Sequence, residues 1–119
     1  MTDPHAILIT EDAQVVSVNL PADQEHFAEY AAALLRCDLV EHVGLATGLH
    51  LWLNEEGIGQ APRNFLATRF VQSFPGGQPG LVVHGPLLIT GHGDEHVEPL
   101  DGSDYRALAM ALRELARHP

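Results

Sequence analysis

The densest run of chemically capable side chains in this sequence is His92-Gly93-Asp94-Glu95-His96, two imidazoles and two carboxylates within five residues. Imidazole and carboxylate both ligate zinc or nickel, so His92, Asp94 and His96 are the candidate metal ligands. A zinc-protease pattern needs His-Glu-x-x-His on one helix face, and here a glycine interrupts the run and no helix is expected. The plainer reading is a solvated acidic loop, with no metal or other cofactor. Gly91-His92-Gly93 follows an apolar strand as a phosphate loop does, yet the third glycine is missing. Asp94 and Glu95 would also repel a phosphate.

Nucleophiles are scarce. Cys37 is the one cysteine, so no internal disulfide forms, and Asp38 beside it opposes a thiolate. Ser17, Ser73 and Ser103 occupy strand, helix-end and cap positions. The acid pairs Glu11-Asp12, Glu55-Glu56 and Asp94-Glu95 fall in loops. General acid-base work requires two carboxyls that converge in unlike surroundings, which spacing alone does not supply. His50 and His84, on strands, are the further histidines that a hydrolytic or metal-dependent site would draw on.

These residues sit on a regular series of elements. Ala6–Thr10 and Gln14–Leu20 are β-rich and read as a hairpin closed by Glu11-Asp12-Ala13. Between Ala22 and Arg36, Phe27, Tyr30, Ala31, Leu34 and Leu35 make one helical stripe. Leu39–Leu45 and Leu49–Leu53 form a second hairpin turned at Thr47-Gly48. Pro62 opens a helix over about 63–74. Leu81–Thr90 is apolar and β-rich, with Gly85-Pro86 expected to bulge it or place it at an edge. After a loop from Gly91 to Gly102, Ser103 caps a last helix to about His118, buried through Tyr105, Leu108, Leu112 and Leu115. The expected architecture is α+β, order ββαββαβα, one domain over residues 1–119 with helices on a mixed or antiparallel sheet.

Trp52 stands out within this plan. Alternation puts Leu49, Leu51 and Leu53 on one sheet face and His50, Trp52 and Asn54 on the other. Either both faces are covered or Trp52 lies at a binding surface for a small ligand, and burial is the commoner fate of tryptophan.

Leu49-His50-Leu51-Trp52-Leu53-Asn54-Glu55-Glu56-Gly57, followed by Ala61-Pro62-Arg63-Asn64-Phe65-Leu66-Ala67-Thr68, resembles the bacterial and phage domain of unknown function 3846. Members have a strand ending in tryptophan or tyrosine, an acidic-acidic-Gly turn, then Pro-x-Asn-x-x-Ala-Thr. His84-Gly85-Pro86-Leu87-Leu88-Ile89-Thr90-Gly91 matches the family's Gly-x-hydrophobic-Gly strand, and Asn54 departs from the usual aspartate. The resemblance implies a small domain of actinobacteria, plasmids or phages, and it supplies no catalytic residue. In physical terms Gly57 permits a turn, Pro62 starts a helix and Asn64 bonds loop backbone. Glu56 and Asn64, with Trp52, could instead line a ligand surface.

Charge narrows the partners. The 119 residues carry 16 acids against six basic residues, all arginine, for a net charge of −10 with neutral histidine. Residues 1–61 hold ten acids and one arginine, a net −9, while residues 62–119 hold six acids and five arginines, a net −1. That balance argues against direct nucleic-acid or anionic-membrane binding, even through Arg106, Arg113 and Arg117 on the last helix. The Met1–His5 start has no basic-then-apolar signal pattern and no apolar run spans a bilayer, so a cytoplasmic location is expected. The leading expectation is a non-enzymatic accessory protein acting through a protein partner, one version being an acidic imitation of nucleic-acid charge. The alternatives are a metal-dependent or hydrolytic enzyme on the His92–His96 loop and a small-ligand module near Trp52. A free sheet edge could also pair two copies into a homodimer.

Overall fold

The computed structural model describes residues 5–20, 26–44, 49–73, 79–92 and 97–117. The strands β1 (His5–Ile9), β2 (Val15–Asn19), β3 (Val40–Gly44), β4 (Leu49–Asn54), β5 (Leu87–His92) and β6 (Val97–Glu98) form one sheet. The helices are α1 (Phe27–Leu35), α2 (Phe65–Ser73) and α3 (Gly102–Arg117). Every pairing is antiparallel, in the order β2-β1-β5-β4-β3, with β6 beside β5. The α+β class stands, and the element order gains only the two-residue β6 within the expected Gly91–Gly102 loop.

β5 explains why its sequence does not alternate. It lies between the two hairpins, and Leu87, Leu88, Ile89 and Thr90 are all fully buried. A strand covered on both faces needs apolar side chains at every position. The proline is dealt with by leaving it out: Pro86 precedes β5, and residues 81–86 form no strand, being held by an isolated Arg63–His84 bridge and by bonds to Pro62, Asn64 and Thr68. The expected ten-residue strand is therefore six residues, because β5 starts only after the residue that cannot donate.

One face of the sheet packs Ile7, Ile9, Leu51, Leu53, Leu87 and Ile89 against α2 and α3. Phe70 and Val71 from α2 and Leu108 and Leu112 from α3 complete that core. The other face packs Ala6 and Leu88 against Phe27, Ala31 and Leu35 of α1. Both faces are thus covered, which resolves the position of Trp52.

Local chemistry sets the helix ends. Pro62 does not open α2; Asn64 does, its Oδ1 accepting the Ala67 N–H at 3.0 Å. Likewise Asp101, not Ser103, caps α3, its Oδ1 accepting the Ser103 N–H at 2.7 Å. Residue 101 offers a carboxylate at the positive helix end, which a hydroxyl does not match. α1 stops at Arg36, which turns left-handed with φ 54°. Its N–H bonds Ala33 O and the Cys37 N–H bonds Ala32 O, a Schellman closure with arginine where glycine is usual. The N-terminal part of the expected helix, residues 22–25, lies outside the described residues. No helix among the described residues is long and apolar enough to cross a membrane.

Candidate functional site

The motif Pro62 to Thr68 folds as architecture. Asn64 is fully buried and its side chain is spent: Nδ2 donates to Ile9 O at 3.1 Å and to Gly85 O at 2.9 Å, while Oδ1 caps α2. Ala67 is fully buried, and Thr68 Oγ1 accepts the Val83 N–H at 2.9 Å. One asparagine thus ties β1, α2 and the approach to β5 together. Glu56 is exposed and its N–H donates to Asn54 Oδ1 at 2.9 Å, an Asx turn. Gly57 is required for a reason that the turn pattern did not reveal. A Cβ there would stand 2.8 Å from His84 O, so close backbone approach excludes any side chain. Gly91 is similar, with a Cβ position 2.8 Å from Pro99 O. The glycine that suggested a phosphate loop makes room for the β6 crossing.

Trp52 is half-buried beneath α1, its ring edge-on to Phe27 with centroids 4.7 Å apart. Its indole N–H donates to Thr90 Oγ1 at 2.9 Å. The tryptophan on the second face is therefore held by a helix and by the neighbouring strand. Trp52, Glu56 and Asn64 serve three separate places, bonded to Thr90, to Asn54 and to Ile9 and Gly85 respectively. The backbone of His92 ends β5, paired with Val97, while Asp94 and His96 lie outside the described residues. Among the described residues no three His, Cys, Asp or Glu side chains group as metal ligands. His84 turns away from the sheet, Nδ1 lying 3.1 Å from Ala61 O. Cys37 is half-buried, its Sγ 3.5 Å from Leu39 O. Burial, then the Asp38 charge, pushes its thiol up from the ordinary value.

Two groupings emerge that composition and spacing did not single out. The first is a pair of histidines. His42 and Trp52 are register partners on β3 and β4, and His50 stands two residues from Trp52 on the same face. His42 Nδ1 and His50 Nε2 are 2.7 Å apart, and both imidazoles lie against the indole, with centroids at 5.1 and 4.8 Å. His50 was visible as an alternating residue. His42 becomes its partner only through the register of two strands.

The second grouping lies where α1 ends. The β1–β2 loop bonds Ala13 N–H to Thr10 O and then takes Ala13 left-handed, φ 66°, a three-residue hairpin with alanine in the glycine position. This geometry presents Glu11 and Asp12 toward the α1 terminus. Arg36 Nη2 meets both Glu11 carboxylate oxygens at 2.6 Å, and the Thr10 hydroxyl donates to Asp12. Around this bridge is a cleft of about 360 Å³ lined by apolar Leu8, Leu34 and Pro86 and by polar Thr10, Glu11, Asp12 and Arg36. A second hollow of about 170 Å³ shares Glu11, Arg36 and Pro86 and runs on to Asn54, Gln60 and Pro62. The ion pair therefore stands between two adjoining hollows. A weak alternation across a hairpin carries no signal for such a place, because it depends on where a distant helix stops.

Comparison with family models, with curated proteins and with solved structures finds no match for this chain.

Proposed function

We propose that this chain is a non-enzymatic interaction protein that acts through a protein partner, and that the partner engages the cleft at the end of α1. The observation that carries this reading is the composition of that cleft: apolar Leu8, Leu34 and Pro86 beside Asp12 and the paired Glu11 and Arg36. A basic side chain matches it. Its methylene stem covers the apolar lining while its charged head reaches the Asp12 carboxylate. The setting favours such a partner, since the half of the chain that forms most of this cleft carries a net −9. Following the resemblance to domain 3846, the protein belongs to a bacterium or a mobile genetic element and works inside the cell. The small-ligand reading loses its footing at Trp52, whose ring is occupied by Phe27, His42 and His50.

The test is affinity capture from the source cell with the natural chain and with the double variant Glu11→Lys, Asp12→Lys. Asp12 is exposed while Glu11 is half-buried in its pair with Arg36, so circular dichroism checks that the variant folds. A partner that is held by the natural chain, lost from the variant and released between about 0.1 M and about 0.5 M salt supports the reading. A nucleic-acid-binding partner would identify the charge-imitating version. A partner retained equally by both chains, with no salt dependence, would overturn it.

A further inference from the structure

We infer that His42 and His50 form a two-histidine site for a divalent transition-metal ion of the kind imidazole binds well, copper(II) foremost. This goes beyond the partner-binding proposal and rests on none of it. Two imidazole nitrogens, His42 Nδ1 and His50 Nε2, face each other at 2.7 Å across adjacent strands. Nitrogen–nitrogen contact at that distance holds one proton between the rings. With the shared proton on His42 Nδ1 and His50 already protonated at its buried Nδ1, a metal ion takes the place of the shared proton, which moves through water to the outer Nε2 of exposed His42. No net change in charge on the rings is needed.

Two nitrogens bound to one ion at about 2.05 Å lie about 2.9–3.3 Å apart, so the rings part by only about 0.2–0.6 Å from their 2.7 Å hydrogen-bond contact to admit it. The rings are also prepositioned. His50 is buried on β4, and Trp52 lies against both imidazoles. Trp52 is in turn fixed by Thr90 and by Phe27. His42 is exposed, so an ion has a way in and the ring has freedom to turn its lone pair toward it. Among the described residues no third His, Cys, Asp or Glu completes the set, so water fills the other positions.

Trp52, the one tryptophan of the chain, reports on the site, since copper(II) beside both imidazoles quenches a contacting indole. Copper(II) is titrated into the full-length Cys37→Ser chain, which removes the thiol that would reduce it, while Trp52 emission is followed. The expected result is saturable quenching at one equivalent, with an electron paramagnetic resonance spectrum showing two equatorial nitrogens. His42→Gln, at an exposed position, should weaken the binding by at least about tenfold. His50→Gln provides the second arm, with circular dichroism checking that it folds. Quenching that is unchanged in His42→Gln, or a spectrum with fewer than two equatorial nitrogens, would overturn the assignment, as would an emission that never saturates.

Discussion

The two faces of the sheet are built from one set of strands and have opposite characters. The face under α2 and α3 is apolar at its centre, from Ile7 and Ile9 through Leu51 and Leu53 to Leu87 and Ile89, with exposed Ser17 and Glu41 on its outer strands. The face under α1 mixes Ala6 and Leu88 with Trp52, His42, His50 and Thr90. Two helices cover the first and one nine-residue helix covers the second. The first face therefore supplies cohesion, through dispersion and apolar burial that depend little on orientation. The second can keep polar groups because each finds a directed partner, as Trp52 does in Thr90. A single helix also ends early, and the cleft beside Arg36 and Glu11 is the space left where it stops. Stability and candidate chemistry are segregated by face.

The largest expected effect belongs to the apolar face. Phe70→Ala removes a fully buried ring of α2 and should cost about 3–5 kcal/mol in denaturant unfolding. Trp52 emission in the folded state should stay as it is, because the indole lies across the sheet. A shifted emission maximum would show that the faces are coupled. Asn64→Ala comes next, at about 2–4 kcal/mol by the same measurement, since it orphans Ile9 O and Gly85 O and uncaps α2. Asn64→Asp should recover only the cap, because a carboxylate cannot donate to either carbonyl. Equal stability of the two variants would contradict the bonding described.

Thr90→Val keeps shape and deletes one hydroxyl on the α1 face. It should cost about 1 kcal/mol and shift Trp52 emission, the reverse of the Phe70 pattern. If emission is unmoved, the indole N–H does not depend on Thr90. Ala13→Gly has the smallest expected effect, a gain of up to about 1 kcal/mol from relieving the left-handed alanine. It should leave the Trp52 signal unchanged, and thermal unfolding of matched samples measures it. A loss of stability instead would mean that the hairpin loop is not strained at that position.

Much of this was legible in the chain itself. The Leu49–Leu53 alternation placed Trp52 opposite the leucines, and the Leu108–Leu112 stripe identified the inner side of α3. Both signals are local, because the side-chain period of a strand or helix is imposed by the backbone. Boundaries were less legible. Asp101 and Asn64 displaced Ser103 and Pro62 as the helix starts because capping depends on which side chain reaches the free N–H groups. Gly57 reads in the sequence as a turn residue, whereas its need comes from His84 O, a contact 27 positions away in sequence. The His42–His50 pair is not legible in the sequence. Two histidines eight positions apart carry no signal until β3 and β4 are set in register.

The sequence alone determined the α+β class, the two hairpins, the three helices, the acidic N-terminal half and the faces that Leu49–Asn54 take. Those follow from periodicity, propensity and charge, which neighbouring residues settle among themselves. Only the tertiary structure decided that β5 sits between the hairpins, that Asn64 joins three segments, and that Arg36 reaches Glu11 across 25 positions. Those follow from where distant segments meet, and there the balance of buried area, hydrogen-bond satisfaction and chain entropy is struck over the whole domain.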